Sequence, residues 1–288
     1  MTNTAWQANV ARLKELNNLF IEMTAKSCNQ RCKHCYIDFP MYKKVEDFIS
    51  IDIIKNALND TTKDNIKCIY LTGAEPMTHP DFNAILRLCL KRCSVCICTN
   101  GSFINEKKAR FLKKVEGESD NEIIFKISID HYNEVKNDDI RARGSFRQAV
   151  FAVKHLVKYG FEPIIVCANY YKESEENLYN QFCEVFSKVN YSLDNSHLQV
   201  IPWYDRNNKE EFDENFKNNY KKLDCETSRV ITSKGVYSCP FLSDDYRGRC
   251  GSSFRDYSDK CSLETDFCQT CLKYGNRIFS IDFEGFDK

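Results

Sequence analysis

The sequence predicts an α/β protein, with a partial (β/α)6 TIM-like barrel followed by a small cysteine-rich domain built from a hairpin and a helix. Strand-like apolar runs alternate with helix-like stretches from residue 18 to about residue 205. The composition then becomes strongly polar, and a second group of cysteines follows. The 288 residues are enough for one barrel-sized domain and a small appendage.

Charge and hydropathy argue against several classes of partner. The 41 Lys and Arg residues balance 41 Asp and Glu residues, so no basic surplus indicates a nucleic-acid partner. No apolar run reaches 18 residues, and the first residues lack the apolar core of a signal peptide. We therefore expect a cytoplasmic protein with no membrane partner. In such a reducing compartment, 16 cysteines indicate metal ligation more than disulfides.

The elements are predicted in order along the chain. Residues 1–17 form an arm or a short polar helix, residues 18–205 form the barrel, and residues 206–288 form the cysteine-rich domain. The predicted strands are 19–23, 68–71, 95–99, 123–129, 163–168 and 198–201, and the predicted helices are 51–58, 81–91, 106–115, 146–159 and 174–189. In such barrels the chemistry lies on loops that leave the C-terminal ends of strands.

The loop after the first strand carries Cys28, Cys32 and Cys35 in a C-x3-C-x2-C pattern. Thiolates are the usual ligands of iron–sulfur clusters, and a 4Fe–4S cluster normally takes four. Three ligands in one compact loop leave one iron open to bind and activate a small molecule. The alternative is a zinc knuckle in which Cys32 and Cys35 combine with a distant second pair.

This spacing, with His34 and Tyr36 on either side of Cys35, resembles the radical S-adenosylmethionine (SAM) enzymes. In that family the open iron chelates the amino and carboxylate groups of SAM. One electron then splits SAM into methionine and a 5′-deoxyadenosyl radical. The resemblance implies SAM as a cofactor and a flavodoxin- or ferredoxin-type electron donor.

Motifs at later strand ends carry the resemblance further. Thr72-Gly73-Ala74-Glu75-Pro76 is similar to the Gly-Gly-Glu-Pro motif of the family, with Ala74 in place of the second glycine. The other matching segments are Thr99-Asn100-Gly101, Ser128-Ile129-Asp130 on strand four, and Arg141-Ala142-Arg143-Gly144-Ser145-Phe146. Ordinary alternatives exist, because Asn-Gly turns are common and an acid such as Glu75 is favoured at the start of a helix.

The resemblance implies a set of cofactor contacts. Glu75 would accept a hydrogen bond from the SAM ammonium group, Ser128 would lie near the ribose, and Arg141 would pair with the SAM carboxylate. His34 would lie against the adenine, and Asn169 would contact adenine or ribose by its position alone. The full predicted set of cofactor-binding residues is His34, Tyr36, Gly73, Ala74, Glu75, Asn100, Ser128, Asp130, Arg141 and Asn169.

The second cysteine group surrounds a predicted hairpin. Cys225 precedes the hairpin, Cys239 follows it, and Cys268 and Cys271 form a later C-x-x-C pair. Four thiolates are enough to close a cluster completely, although a structural zinc site uses the same residues. Two further cysteines, Cys250 and Cys261, would either replace one of these ligands or act as hydrogen-atom donors.

The order of the second group resembles the auxiliary-cluster modules of the SPASM and twitch subfamilies. Because no cysteine follows Cys271, a twitch-like module with a single auxiliary 4Fe–4S cluster is the better match. Three residues separate Gly235 from Cys239, whereas the family pattern has four.

These resemblances lead to three functional hypotheses. The first is a radical SAM oxidoreductase that dehydrogenates a small alcohol or sugar-type substrate with the help of the auxiliary cluster. The second is a maturase that epimerises or cross-links a ribosomal peptide, although no leader-binding domain is visible in the N-terminal arm. The third is a non-catalytic iron–sulfur electron carrier. No catalytic acid or base is assigned from the sequence.

Overall fold

The computed structural model describes residues 10–37, 48–203, 223–263, 265–274 and 279. The strands in these ranges are β1 (Val10–Arg12), β2 (Asn18–Glu22), β3 (Cys68–Thr72), β4 (Ser94–Thr99), β5 (Ile123–Ser128), β6 (Ile164–Ala168), β7 (Leu198–Ile201), β8 (Ser228–Thr232), β9 (Gly235–Tyr237), β10 (Arg249–Gly251) and β11 (Lys260–Ser262). The helices are α1 (Ile51–Asp60), α2 (Phe82–Leu90), α3 (Glu106–Glu116), α4 (Glu134–Ile140), α5 (Ser145–Lys158), α6 (Glu175–Ser187) and α7 (Asp266–Tyr274).

One sheet of nine strands organises the fold, in the order β10-β9-β8-β2-β3-β4-β5-β6-β7. The seven strands from β8 to β7 run parallel, and β9 and β10 add to the β8 edge in antiparallel pairs. This arrangement confirms the predicted partial barrel. The six predicted strands and five predicted helices are all present, with ends shifted by a few residues at most.

The sheet continues into the predicted C-terminal domain. The predicted hairpin forms as β8 and β9, and β8 pairs in parallel with β2, with Asn18 opposite Ser228. The predicted boundary at residues 205 and 206 lies outside the described residues. The division into an arm, a barrel and a separate domain therefore stays a prediction.

The N-terminal segment differs from one of its two predicted forms. Residues 10–12 are a strand, β1, which pairs antiparallel with β11 and places Ala11 opposite Cys261. Ala11 is buried while Val10 is exposed, which is the period-2 pattern of a strand. The polar helix is therefore wrong for these residues, because a distant partner strand decides their conformation.

Side-chain caps fix where several helices begin. Ser50, Asn105 and Ser174 each accept a hydrogen bond from a backbone N–H in the first turn of α1, α3 and α6. The sequence missed the seven-residue helix α4, whose cap is Asn133. Among the described residues, no helix is both long and apolar enough to cross a membrane.

The two faces of the sheet have different environments. The outer face packs against the helices, and its side chains, such as Ile21, Leu71, Ile97 and Ile127, are fully buried. The inner face carries Glu22, Thr72, Cys98, Lys126, Ser128, Val166 and Gln199, and several of these are only half-buried. We call the space bounded by these inner-face residues the lumen.

Candidate cluster and cofactor sites

The loop of Cys28, Cys32 and Cys35 follows β2, and its three thiols are half-buried. Main-chain bonds fix its shape: Cys35 N donates to Cys32 O at 3.1 Å, and Lys33 N donates to Ile140 O at the end of α4 at 2.9 Å. The N–H of Gln30 lies 3.3 Å from Cys28 Sγ. N–H donors directed at sulfur are a usual feature of iron–sulfur sites, so the loop fits a cluster.

Glu75 joins the ends of β3 and β4. Its buried carboxylate accepts hydrogen bonds from Thr99 Oγ1 at 2.7 Å, Asn100 N at 2.9 Å and Met77 N at 3.2 Å. Burial raises the pKa of Glu75, although these hydrogen bonds oppose the rise. The contact of Glu75 with the SAM ammonium group stays a prediction, and the contacts present show that Glu75 positions the loop of Asn100.

Asn100 in turn lies against the cysteine loop. Its Nδ2 atom is 3.7 Å from Cys28 Sγ and 3.0 Å from Asn29 Oδ1. The loop after β4 therefore contacts the loop after β2 at Cys28, although the two loops are far apart in sequence. The predicted set contained Asn100, but the sequence did not indicate its contact with sulfur.

Gly73 has a structural requirement of its own. Its φ of +114° lies in the region that favours glycine, and a Cβ there would be 2.5 Å from the carbonyl oxygen of Thr24. The next residue, Ala74, donates its N–H to the same oxygen at 2.7 Å. The glycine thus permits close contact between the β3 loop and the β2 loop, whereas its predicted approach to a ligand is not tested.

Asp130 lies at the centre of a buried polar group after β5. Its Oδ2 is 2.8 Å from Arg141 Nη1 and 3.3 Å from His34 Nε2, and its Oδ1 accepts from Ala168 N at 3.0 Å. Burial alone would raise the pKa of Asp130. The neighbouring His34 and Arg141 outweigh that effect and hold its pKa well below the ordinary value.

Arg141 connects this group to the cysteine loop. Its Nε donates to Gln30 Oε1 at 3.1 Å, and that oxygen also lies 3.8 Å from Cys32 Sγ. The guanidinium therefore has two protein partners, Asp130 and Gln30. Its predicted pairing with the SAM carboxylate is not tested by these contacts. Sequence reasoning missed Gln30, because its role depends on an arginine far along the chain.

His34 and Tyr36 have aromatic surroundings. The His34 ring stacks on Trp203, with centroids 5.0 Å apart and an interplanar angle of 14°. Tyr36 makes edge contacts with Phe241 at 5.6 Å and Phe279 at 6.3 Å, and burial raises its pKa. The two rings thus connect the cysteine loop to Trp203 after β7 and to the aromatic residues near the second cysteine group.

The last two residues predicted to contact the cofactor are Ser128, which lies on the inner face of the sheet, and Asn169, which lies in the loop after β6. Ser128 is half-buried on the inner face of β5, at the C-terminal end of the strand. Asn169 exchanges two hydrogen bonds with the main chain of Glu173, at 2.8 and 3.0 Å. The Asn169 amide thus stabilises its own loop, and its predicted contact with adenine or ribose is not tested.

The second cysteine group lines a cavity of about 440 Å³, a volume that includes its opening. All four predicted ligands contribute to the lining, which includes Cys225, Cys239, Cys268 and Cys271, and Cys261 is a fifth. Cys268 and Cys271 lie one turn apart on α7, while Cys261 lies on β11. Cys250 is outside this lining, with its Sγ 3.6 Å from Gly248 O.

The donor set of this cavity consists of thiols, which are ligands of both zinc and iron–sulfur clusters. Within the described ranges, no three His, Cys, Asp or Glu side chains converge closely enough to hold one metal ion. A zinc ion requires all its sulfurs at about 2.3 Å from one point. A 4Fe–4S cubane binds each cysteine at a different iron and therefore needs sulfurs that are farther apart.

A buried arginine supports the second cavity. Arg229 is fully buried, and its guanidinium donates to the carbonyl of Cys225 at 2.7 Å and to that of Asp259 at 2.6 Å. These bonds connect the segment before β8 to the segment before β11. Arg229 thereby positions two of the chain segments that carry the cysteines.

Known proteins share this fold. The family model of the radical SAM superfamily matches residues 24–179, which is more than half of the chain. The chain aligns with anSMEcpe with bound AdoMet at a TM-score of 0.62 and 16% identity, covering 89% of this chain and 82% of that one. No curated protein matches the chain.

Two other solved structures are similar. Streptococcus suis SuiB bound to S-adenosylmethionine aligns at a TM-score of 0.59 and 14% identity, covering 84% of this chain and 64% of that one. BtrN in complex with AdoMet and 2-DOIA aligns at 0.50 and 15%, covering 91% and 89%. At these identities the structures show a common fold. Together with the family match, they show that the chain belongs to the radical SAM superfamily.

Proposed function

We propose that the chain is a radical SAM oxidoreductase that binds a 4Fe–4S cluster through Cys28, Cys32 and Cys35. An external donor of the flavodoxin or ferredoxin type would supply one electron. SAM would then divide into methionine and a 5′-deoxyadenosyl radical, and this radical would take a hydrogen atom from a carbon of the substrate to give 5′-deoxyadenosine.

The strongest support for this proposal is the convergence of three groups of side chains at neighbouring strand ends. The cysteine loop, the Glu75–Asn100 pair and the Asp130–Arg141 pair meet at the C-terminal ends of β2 to β5 through direct contacts. A simple electron carrier needs the cysteines, but it does not need this group of buried polar side chains at neighbouring strand ends. Ligands of open barrels bind at that edge of the sheet.

The second cavity supports net oxidation of the substrate. We infer that Cys225, Cys239, Cys268 and Cys271 hold an auxiliary 4Fe–4S cluster, because they line one cavity and four thiolates complete such a cluster. The substrate radical would lose one electron to this cluster and one proton to solvent or a base. The sum of both steps is a two-electron oxidation, as in dehydrogenation of an alcohol on a small molecule such as a sugar.

Peptide modification is the second candidate, and the comparisons favour it in one respect. The similar structures include SuiB bound to its precursor peptide SuiA and anSMEcpe with AdoMet and a peptide. BtrN, by contrast, is described with the small molecule 2-DOIA. Both substrate classes therefore remain in the proposal, and a cytoplasmic location is proposed for either.

Anaerobic reconstitution with iron, sulfide, SAM and dithionite tests the proposal. We expect 5′-deoxyadenosine to form without any substrate, and to be lost in Cys28→Ala, Cys32→Ala and Cys35→Ala. Cys268→Ala should retain this cleavage while it loses the iron of the second cluster. If the wild-type protein binds a cluster but forms no 5′-deoxyadenosine, the electron carrier is the better hypothesis. Full iron content in the Cys268 variant would contradict the auxiliary cluster and would leave the proposal for the first cluster unaffected.

A further inference from the structure

The lumen contains a buried cation, Lys126. It lies on the inner face of β5 and is 4% exposed. Its Nζ donates to the main-chain oxygen of Phe279 at 2.7 Å and lies 5.9 Å from the centroid of the Tyr70 ring. Across the described ranges, no carboxylate forms an ion pair with this ammonium group, although thirteen pairs of a Lys or Arg with a carboxylate occur elsewhere.

A buried ammonium group without a counter-charge is unfavourable. Removing a charge from water costs free energy that a paired anion and good hydrogen bonds can offset. The carbonyl of Phe279 is a neutral acceptor and supplies no counter-charge, whereas an anionic oxygen would supply both a hydrogen bond and the opposite charge. A lysine has three donors, and Phe279 takes one of them. The ammonium can therefore accommodate an anion without giving up its present bond.

The position of Lys126 suits a ligand of the lumen. The strand register places it opposite Cys98 on β4 and Ile164 on β6. Ser128 follows two residues later on the same face, which is roughly 7 Å nearer to the C-terminal end of the strand. Cys98 and Ser128 are half-buried, whereas the outer-face residue Ile127 between Lys126 and Ser128 is fully buried. The inner face beside Lys126 and C-terminal to it is thus partly exposed.

We propose that Lys126 binds an oxyanion of the substrate, either a carboxylate or a phosphate ester, within the lumen. This inference rests on the proposed function, because it places the substrate beneath the site where SAM would be cleaved. The Phe20 ring contacts the rings of both Tyr70 and Phe279, so aromatic side chains adjoin the ammonium on the inner face.

Matched pairs of small probes test the proposal on the reconstituted protein with SAM. Calorimetric titration would compare phenylacetate with phenylacetamide, and phenyl phosphate with phenol. We expect at least one anion to bind about tenfold or more tightly than its neutral partner, since hydrogen bonds to a charged group are the stronger ones. The better anion distinguishes a carboxylate from a phosphate. Lys126→Gln should abolish the preference, and Lys126→Arg should keep most of it.

The proposal fails if wild-type protein binds charged and neutral probes alike, or binds neither anion. It also fails if Lys126→Gln lowers the thermal midpoint but keeps the preference, because Lys126 would then only hold the Phe279 carbonyl. Formation of 5′-deoxyadenosine without any probe is measured on the same preparations. Its absence, with the anion preference intact, would contradict the radical chemistry and leave the anion site standing. If Lys126→Gln does not fold, the wild-type and Lys126→Arg preferences decide the matter.

Discussion

The Nδ2 atom of Asn100 lies 3.7 Å from the sulfur of Cys28, and the carboxylate of Glu75 holds the backbone of the same asparagine. The amide thus approaches the sulfur from a strand end that is fixed by a buried acid. Hydrogen bonds to cluster sulfurs raise the reduction potential, because they stabilise the extra negative charge of the reduced state. Asn100 therefore has a role that its place in an Asn-Gly turn does not explain.

Asn100→Ala is expected to lower the reduction potential of the first cluster, so that a given electron donor reduces a smaller fraction of it. A potential titration followed by electron paramagnetic resonance measures the shift. Asn105→Ala is the matched control, because Asn105 is the cap of α3 and accepts from Lys108 N. That control should cost about 1 kcal/mol of stability and leave the potential unchanged. An unchanged potential in Asn100→Ala would show that the amide does not act on the cluster.

Asp130→Asn is expected to destabilise the protein by about 3–5 kcal/mol, because it leaves Arg141 buried without its charged partner. Denaturant unfolding of the protein before reconstitution measures this loss. Asp139→Asn is the control, since Asp139 pairs with Lys33 at 2.8 Å on the exposed surface. Exposed pairs contribute about 0–1 kcal/mol. If both variants lose the same free energy of unfolding, the buried Asp130–Arg141 pair stabilises the protein no more than an exposed pair does.

Features that depend on neighbouring residues were predictable from the sequence, whereas features that depend on contacts between distant residues were not. The strands and helices of the barrel were predicted because apolar runs and turn residues are local signals. Four of the five cysteines that line the second cavity were predicted from their order around the hairpin. The pairing of β1 with β11 was not, because three residues pair with a strand near the other end of the chain. Short β1 has too few residues for a periodic pattern, so its partner determines its structure.

The candidate site shows the same limit at the level of side chains. Asp130, Arg141 and His34 were each predicted as contacts of SAM, and the structure shows that Asp130 pairs with both Arg141 and His34. A motif indicates which residues lie near a site, but not which of them pair. The sequence also left open whether Cys250 or Cys261 is a ligand or a hydrogen-atom donor, and only the fold places Cys261 in the cavity. Gln30 carried no signal apart from its place between two cysteines.

Glu173→Gln is expected to weaken the loop between β6 and α6. The Glu173 carboxylate accepts hydrogen bonds from His131 Nε2 at 2.9 Å, Tyr132 Oη at 3.0 Å and Asn177 Nδ2 at 2.6 Å. Losing the charged acceptor should cost about 1–3 kcal/mol at neutral pH. Thermal unfolding of the wild-type and variant proteins measures this difference.

The stability difference between wild type and Glu173→Gln is also expected to depend on pH. Burial would raise the pKa of Glu173, but its hydrogen bonds with His131 and Tyr132 lower it below the ordinary 4.5. A group with a lowered folded-state pKa contributes stability above its unfolded pKa and loses it as the pH falls through the folded pKa. The gap between wild type and Glu173→Gln should thus be largest near pH 7 and narrow below about pH 4.5. A gap that widens in acid would contradict this explanation.

Arg229→Met is expected to remove iron from the proposed auxiliary cluster and to leave the first cluster intact. The guanidinium holds the carbonyls of Cys225 and Asp259, so its loss removes the link between the segments that lead to Cys225 and Cys261. The Asp259 carbonyl would keep the N–H of Leu13 as a donor. Iron analysis should show about half of the wild-type content, while cleavage of SAM to 5′-deoxyadenosine continues. Arg247→Met is the control, because Arg247 pairs with Asp245 beside β10 without bonding to either carbonyl. Loss of both clusters in Arg229→Met alone would show that Arg229 supports the whole sheet rather than the second cavity.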